Sequence, residues 1–502
     1  MVARLARLAR HGRSSIGLGG AVASSSRGSR RASELRLDWP GRTWEPGRAA
    51  RPAGVPAAVT VETIGVDCHP LLGAPGTRPG RLLLGDALDV AGALAEEGGP
   101  GVDLVYVDPP FASQTAYVYE GRLDGPADGR VLRAKAYDDR WEGGGVGAYL
   151  EMLAPRLEAL TRLLAPTGTI WVHVDYRASY LVRLLLDEVL GREAFVNEIV
   201  WRRAPNLVRQ AASSQFGRTL DTIVVYGASG QAVLVPPTRL EPIPPGAVRW
   251  DDAGRPFTAA PRGDYTDESI DRLDKEGRVH RTAAGKAYIK YFLVQNADGV
   301  WCRNRRVDAL WTDVRPLRHA TAGERTGFPT QKPRTLLDRI VGCASPPGGL
   351  VVDLFAGSGT TAESAQALGR RFVVGDASPL ATATARARLL RAGAAVTVQE
   401  CGASFPSSEA PTVAAERRES RVCVRLLAPL EPLAWAIGIV DPASGSDRGA
   451  ESFRTVWHSE RTPGMRARPA VREALIENTG GPLAVRVWSD EGRVGACAVE
   501  VG

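Results

Sequence analysis

Asp108-Pro109-Pro110-Phe111 is the segment of this 502-residue sequence whose residue types most constrain a chemistry. Two consecutive prolines remove two backbone donors and hold the chain extended, so the Asp108 carboxylate and the neighbouring carbonyls project as a rigid row of acceptors. An aryl amine, such as the exocyclic nitrogen of adenine, is a poor nucleophile because its lone pair is delocalised into the ring. Hydrogen bonds from its two protons, one to Asp108 and one to the Pro109 carbonyl, favour the more pyramidal nitrogen that a transfer reaction needs. Phe111 offers a face on which an extruded base can stack. Taken alone the tetrapeptide also reads as an ordinary strand-end turn.

A second cluster lies far along the chain. The apolar run Leu350 to Phe355 leads into Ala356-Gly357-Ser358-Gly359-Thr360-Thr361-Ala362, a glycine-rich turn opening a helix. Glycines let backbone approach a ligand at the carboxyl edge of an α/β sheet. Asp376, nineteen residues beyond Gly357, is placed to accept from ribose hydroxyls. The same spacing fits a dinucleotide, but Asp353 at the strand end would repel a pyrophosphate and would suit the cationic amino group of a methionyl moiety. The loop therefore favours S-adenosylmethionine, unless Asp353 merely caps the turn. A sulfonium is already a strong electrophile, so alignment matters more than a metal or a covalent intermediate.

Elements that would carry these clusters are legible on both sides. Arg81 to Leu84 and Val102 to Val107 read as strands around a helix from Ala87 to Ala95. A helix from Tyr149 to Leu164, a turn at Pro166-Thr167-Gly168, a strand from Thr169 to Val174 and a helix ending at Gly191 follow. The pattern returns with a helix from Arg334 to Val341, then the glycine-turn strand, a helix from Thr360 to Leu368, a strand from Phe372 to Val374 and a helix from Pro379 to Arg391. Such alternation predicts a doubly wound, mostly parallel α/β sheet. Between Trp201 and Gly327 the chain turns to short strands, many Pro and Gly and no long helix, with 20 Lys plus Arg against 14 Asp plus Glu. That surplus of six is nearly the whole net charge of +7, as expected for a segment that touches nucleic acid, although a solvated charged loop has the same composition. Arg202, Arg203 and Arg218 are its candidate DNA contacts. Beyond about Val396, short strands and turns predict a small β-rich appendage.

Composition sets the outer bounds. No uncharged apolar run is long enough for a membrane helix, so no membrane partner is expected. The six cysteines form no C-x-x-C pair and no His cluster, which argues for reduced thiols, a cytoplasmic setting and no bound metal. The first 33 residues hold seven Arg and no acidic residue; a basic disordered arm is expected, a composition shared with transit peptides and with the product of an upstream start codon.

With these motifs in hand, the sequence resembles the bacterial amino-methyltransferases of DNA in which the catalytic motif precedes the cofactor motif, a group that includes the methylation subunits of type III restriction systems. The resemblance runs from about Glu34 to Arg391 and rests on motifs in a fixed order: Leu37 to Arg42, Leu84-Gly85-Asp86, Asp108 to Phe111, Tyr137 to Trp141, Pro166-Thr167-Gly168, His173-Val174-Asp175, Asn197 to Arg202, Leu310 to Val314, Glu324 to Pro333 and Asp353 to Thr361. It implies a seven-stranded, mostly parallel sheet whose last hairpin brings in an antiparallel strand, with S-adenosylmethionine as cofactor. It further implies that Asp86 contacts the cofactor adenine, that Thr330 and Lys332 hold its methionine end, and that Asp353, Phe355, Gly357, Gly359 and Thr360 with Asp376 complete the cofactor site.

The catalytic set would be Asp108, Pro109, Pro110 and Phe111, with double-stranded DNA as substrate and adenine N6 as acceptor; a restriction or defence subunit and a homodimer are compatible partners. The expected divisions are an arm at 1–33, a catalytic half at 34–200, a target-recognition insertion at 201–327, a cofactor half at 328–395 and a β-rich module at 402–502. Ala112, Leu354 and Tyr176-Arg177 depart from the family pattern without removing a group of assigned role. N4-cytosine methylation by the same chemistry, a catalytically silent DNA-binding subunit and an NAD-linked oxidoreductase remain as competing readings, the last leaving Asp108 to Phe111 unexplained.

Overall fold

A computed structural model describes residues 36–47, 54–65, 79–98, 101–122, 131–141, 143–204, 216–321, 323–429, 434–441, 452–460, 471–477, 482–489 and 492–501. The expected basic arm at 1–33 lies outside the described residues. Strands of the principal sheet and all α-helices are numbered in chain order: β1 (Val59–Ile64), β2 (Gly80–Leu84), α1 (Ala87–Glu96), β3 (Val102–Val107), α2 (Gly145–Thr161), β4 (Leu164–Val174), α3 (Ser179–Leu190), β5 (Phe195–Arg202), β6 (Leu220–Gly227), α4 (Asp267–Lys275) and β7 (Leu310–Trp311). Then follow α5 (Arg334–Ala344), β8 (Leu350–Asp353), α6 (Thr360–Ala367), β9 (Arg371–Asp376), α7 (Pro379–Arg391), β10 (Val396–Glu400), β11 (Ala434–Asp441), β12 (Ser452–Glu460), β13 (Leu483–Trp488) and β14 (Val494–Ala498).

Seven strands in the order β2-β9-β8-β3-β4-β6-β5 form the expected sheet, parallel except for β6, which runs antiparallel to both β4 and β5. Successive residues of a strand face opposite sides, and β3 shows it. Val105 and Val107 join a core with the buried faces of α1, α2 and α3, while Leu104 and Tyr106 join one built on α5, α6 and α7. Helices therefore cover both faces, as parallel crossovers require. The turn expected at Pro166-Thr167-Gly168 is carried inside β4 as an irregularity, since the register jumps between Val102↔Leu164 and Leu104↔Thr169.

The sheet does not stop at seven strands. β10 adds in parallel beside β2, β1 pairs antiparallel to β10, and β12 pairs in parallel to β1, with β11, β13 and β14 beyond it; at the opposite edge β7 pairs in parallel with β5 and brings the sheet to fourteen strands. The C-terminal strands thus continue the principal sheet through β1 instead of hanging from it. A three-stranded sheet of Thr412–Arg418, Arg421–Ala428 and Glu473–Glu477 closes over them, with a core around Val424, Trp435 and Val485.

The inserted region carries its own six-stranded sheet, Thr238–Pro242, Arg249–Trp250, Pro256–Pro261, Val279–Arg281, Ala287–Gln295 and Trp301–Arg306. Its helix α4 begins where the Thr266 hydroxyl caps the Ser269 N–H and acidic Asp267 and Glu268 meet the positive end of the helix dipole. Ile270 and Leu273 then bury against Val279 and Ile289. Among the described residues no helix is long and apolar enough to cross a membrane.

Candidate active site

Because β8 and β3 are parallel neighbours, with Val352 opposite Val105, both strands deliver their carboxyl ends to one edge of the sheet. Asp108 to Phe111 leave one strand there and the glycine turn leaves the other. Between them lies a cavity of about 500 Å³ lined by Asp86, Asp108, Pro109, Pro110, Phe111, Thr330, Lys332, Asp353, Phe355, Gly357, Thr360 and Asp376, among others. Of the expected catalytic and cofactor residues, Gly359 alone is not part of the lining. Arg202, Arg203 and Arg218 stand outside it.

At the catalytic end, Asp108 Oδ2 accepts from Lys332 Nζ at 2.5 Å, and the same ammonium lies 5.1 Å from the centre of the Phe111 ring. Asp108 Oδ1 is buried and has no hydrogen-bond partner among the described residues. An acceptor left without a donor in a buried place is costly, so this oxygen marks where a donor is wanted. The loop after Phe111 is fixed by buried Asp139, whose Oδ2 accepts from the N–H groups of Phe111 (3.1 Å) and Ser113 (2.7 Å) and whose Oδ1 accepts from the Trp141 indole. Ala112 has φ +54°, a left-handed conformation uncommon for a residue other than Gly, Asn or Asp.

Beneath Phe111 sits His173, its ring 6.2 Å away and 24° from parallel. His173 contacts the Tyr106 hydroxyl through Nδ1 (2.9 Å) and Asp221 through Nε2 (3.3 Å). Asp221 in turn accepts from Arg203 Nε at 2.6 Å. Burial pushes the Asp221 carboxyl up, but the hydrogen bond and charge of His173, with Arg203 and Lys332, outweigh it and hold the group below its ordinary range. Arg203 is thereby committed to a buried carboxylate. Arg218 bonds the Tyr176 hydroxyl, and Arg202 is exposed on β5.

At the glycine turn, Gly357 and Gly359 have φ of +49° and +76°. A Cβ on Gly359 would come within 2.7 Å of Ala385 Cβ, and one on Gly357 within 3.4 Å of the Phe328 ring. At Gly359 only glycine fits without displacement, whereas at Gly357 it is the left-handed backbone that favours glycine. The turn is braced by the buried carboxylate of Asp353 and the half-buried one of Asp376. Asp353 accepts from the Phe355 N–H (3.0 Å) and the Thr361 hydroxyl (2.6 Å), and Asp376 accepts from the N–H groups of Gly357 (2.9 Å) and Ser378 (2.8 Å). Burial pushes Asp353 up to about 7, with the charges of Asp108 and Asp376 adding to it, and burial pushes Asp376 up to about 6. Two carboxyls so desolvated favour a nearby cation and hydroxyl donors.

Asp86 caps α1 through the Leu88 N–H and pairs with Arg156. Thr330, with φ +59°, bonds the Tyr137 hydroxyl at 3.1 Å, and the Thr360 hydroxyl bonds the Lys332 carbonyl. The sequence singled out neither Tyr117, whose ring stacks 4.7 Å from that of Tyr137, nor Phe328 as a lining residue. Tyr117 carries no signal beyond its nearness to Phe111; Phe328 sits inside the Glu324 to Pro333 motif and was open to recognition there.

A profile of the N6/N4 DNA methylase family matches residues 102–385. The type II methyltransferase M.EcaI of Enterobacter cloacae is 28% identical over 316 residues, covering 58% of this chain and 65% of that protein. The Mod subunit of the type III restriction-modification enzyme StyLTI of Salmonella typhimurium is 26% identical over 333 residues, covering 57% of this chain and 49% of that one. The chain therefore spans less than two thirds of the length of these relatives. Among solved structures, the DNA modification methylase TTHA0409 of Thermus thermophilus, complexed with S-adenosylmethionine, is 18% identical with a TM-score of 0.35, covering 65% of this chain and 100% of that one. The cytosine-N4-specific PvuII DNA methyltransferase is 15% identical with a TM-score of 0.35, covering 63% and 92%.

Proposed function

Since the chain belongs to the N6/N4 DNA methylase family, we propose that it methylates the exocyclic N6 of adenine in double-stranded DNA, using S-adenosylmethionine and a target base turned out of the duplex. The observation that carries this reading is the unpartnered Oδ1 of Asp108, buried in the cavity that the glycine turn also lines. S-adenosylmethionine supplies an electrophilic methyl group when bound. Asp353, Asp376 and the Gly357 to Thr360 turn would hold it, with Asp86, Thr330, Lys332 and Phe355 around it. The raised carboxyls and the close glycine backbone fit a cationic nucleoside.

The chain does the rest. Lys332 holds Asp108 by Oδ2, which leaves Oδ1 to accept one proton of the amine, and the extended Pro109 carbonyl accepts the other. Phe111, braced from below by His173, stacks the base. After transfer, the surplus proton on nitrogen passes to the acceptor already bonded to it, Asp108 Oδ1. Asp at the first position of the tetrapeptide favours adenine over cytosine by family analogy, and the Mod-subunit relative supports a restriction subunit as a partner.

The test is sequencing of modified bases in DNA from a host that expresses the protein. N6-methyladenine within a recurring motif is expected. N4-methylcytosine would overturn the choice of base but keep the chemistry, and unmodified DNA would overturn both.

A further inference from the structure

Tyr176 and Arg177 have no part in the reaction derived above. They follow β4, the parallel neighbour of β3 with Val172 opposite Val107, and so emerge at the same sheet edge as Asp108 to Phe111. Buried Asp175 fixes Arg177, accepting from its N–H at 2.9 Å and from its guanidinium at 2.6 Å. The Arg177 guanidinium carbon lies 5.6 Å from the centre of the Tyr176 ring. A second guanidinium, that of Arg218, bonds the Tyr176 hydroxyl and lies 4.5 Å from the same ring centre. Although held by two cations, Tyr176 is 45% exposed.

A fixed, half-exposed aromatic face among guanidiniums is the composition that binds an unstacked base and its phosphates. Turning a base out of a duplex leaves a base that has lost a stacking neighbour. We propose that Tyr176 is the stacking platform for such a nucleobase, at the sheet edge from which Asp108 to Phe111 also emerge and distinct from the Phe111 face that receives the target. This rests on the function proposed above.

The experiment compares wild type, Tyr176→Phe and Tyr176→Ala on a duplex carrying the motif found by product sequencing, with 2-aminopurine at the target position. Duplex affinity is read by anisotropy and base extrusion by 2-aminopurine fluorescence. Tyr176→Ala is expected to weaken duplex binding on the order of tenfold and to lose the fluorescence rise. Tyr176→Phe stays close to wild type because the ring remains, and all three bind S-adenosylmethionine equally, which shows the Ala variant folded.

A duplex abasic opposite the target separates two sources of the stacked base. If the Ala defect vanishes on it, Tyr176 stacks the orphaned partner; if the defect persists, Tyr176 stacks a flanking base. Equal duplex binding by Tyr176→Ala and wild type, or equal harm from Tyr176→Phe, overturns the platform while leaving the functional proposal intact. A wild type that marks no DNA takes down the functional proposal and this inference with it.

Discussion

Asp353 is the residue whose environment makes the sharpest statement about pH. Its folded carboxyl, raised to about 7 from an ordinary 3.8, binds a proton more readily than the unfolded one between those values. The chain without cofactor should therefore lose stability as pH rises from about 4 to 7. A bound cation beside Asp353 would oppose that loss by favouring the ionised form. The increment in melting temperature from S-adenosylmethionine is thus expected to grow between pH 6 and 7.5, and to become flat with pH in Asp353→Asn. An increment independent of pH in the unaltered protein would place the cofactor cation elsewhere. The residue types at this site were legible because Asp, Gly and Pro announce their backbone and charge roles locally. The Asp108–Lys332 contact was not, since it joins side chains 224 positions apart and depends on how the returning chain crosses the cavity.

At the scale of elements, the glycine turn must be tight because α7 packs against it. Gly359→Ala would place a methyl 2.7 Å from Ala385 Cβ in a left-handed backbone, and a destabilisation of about 1–3 kcal/mol is expected. Urea denaturation reads the stability, and equilibrium binding should show weaker cofactor affinity; wild-type values for both would mean that the turn is free to relax. Strand β3 and helix α7 fall on the residues expected from sequence, since an apolar run after a Gly-Pro break marks the one and a proline at the first helical position opens the other. Strands β1 and β10 were not read. Val-Thr-Val-Glu-Thr-Ile and Val-Thr-Val-Gln-Glu mix polar residues into both, and their pairing, Val59 with Glu400, is made across most of the chain. The turn at Pro166 to Gly168 is real chemistry, but β3 captures it as an irregularity within β4.

For the whole molecule, β1 is the seam that makes one sheet of the catalytic region and the C-terminal strands. Glu62 on β1 is fully buried, accepts two bonds from Arg386 of α7 at 2.7 and 2.6 Å and one from the Thr455 hydroxyl of β12, while Arg386 also stacks 3.5 Å over Trp488. Arg386→Met would leave that carboxylate buried without its cation, and a loss of about 3–5 kcal/mol is expected from denaturant titration; an unchanged midpoint would show the seam to be wet. Within that sheet the parallel pairing of β3 with β8 holds Asp108 and the glycine turn side by side, and the account stands on their shared cavity. Its most direct test measures transfer of labelled methyl from S-adenosylmethionine to DNA by wild type and Asp108→Ala, with equilibrium binding of the cofactor measured on both. The account predicts equal cofactor binding, label on adenine N6 for wild type and a loss of transfer of at least a hundredfold, on the order seen when a transition-state hydrogen-bond partner is removed, for the variant. Undiminished transfer by Asp108→Ala, or a wild type that binds no cofactor, would contradict it.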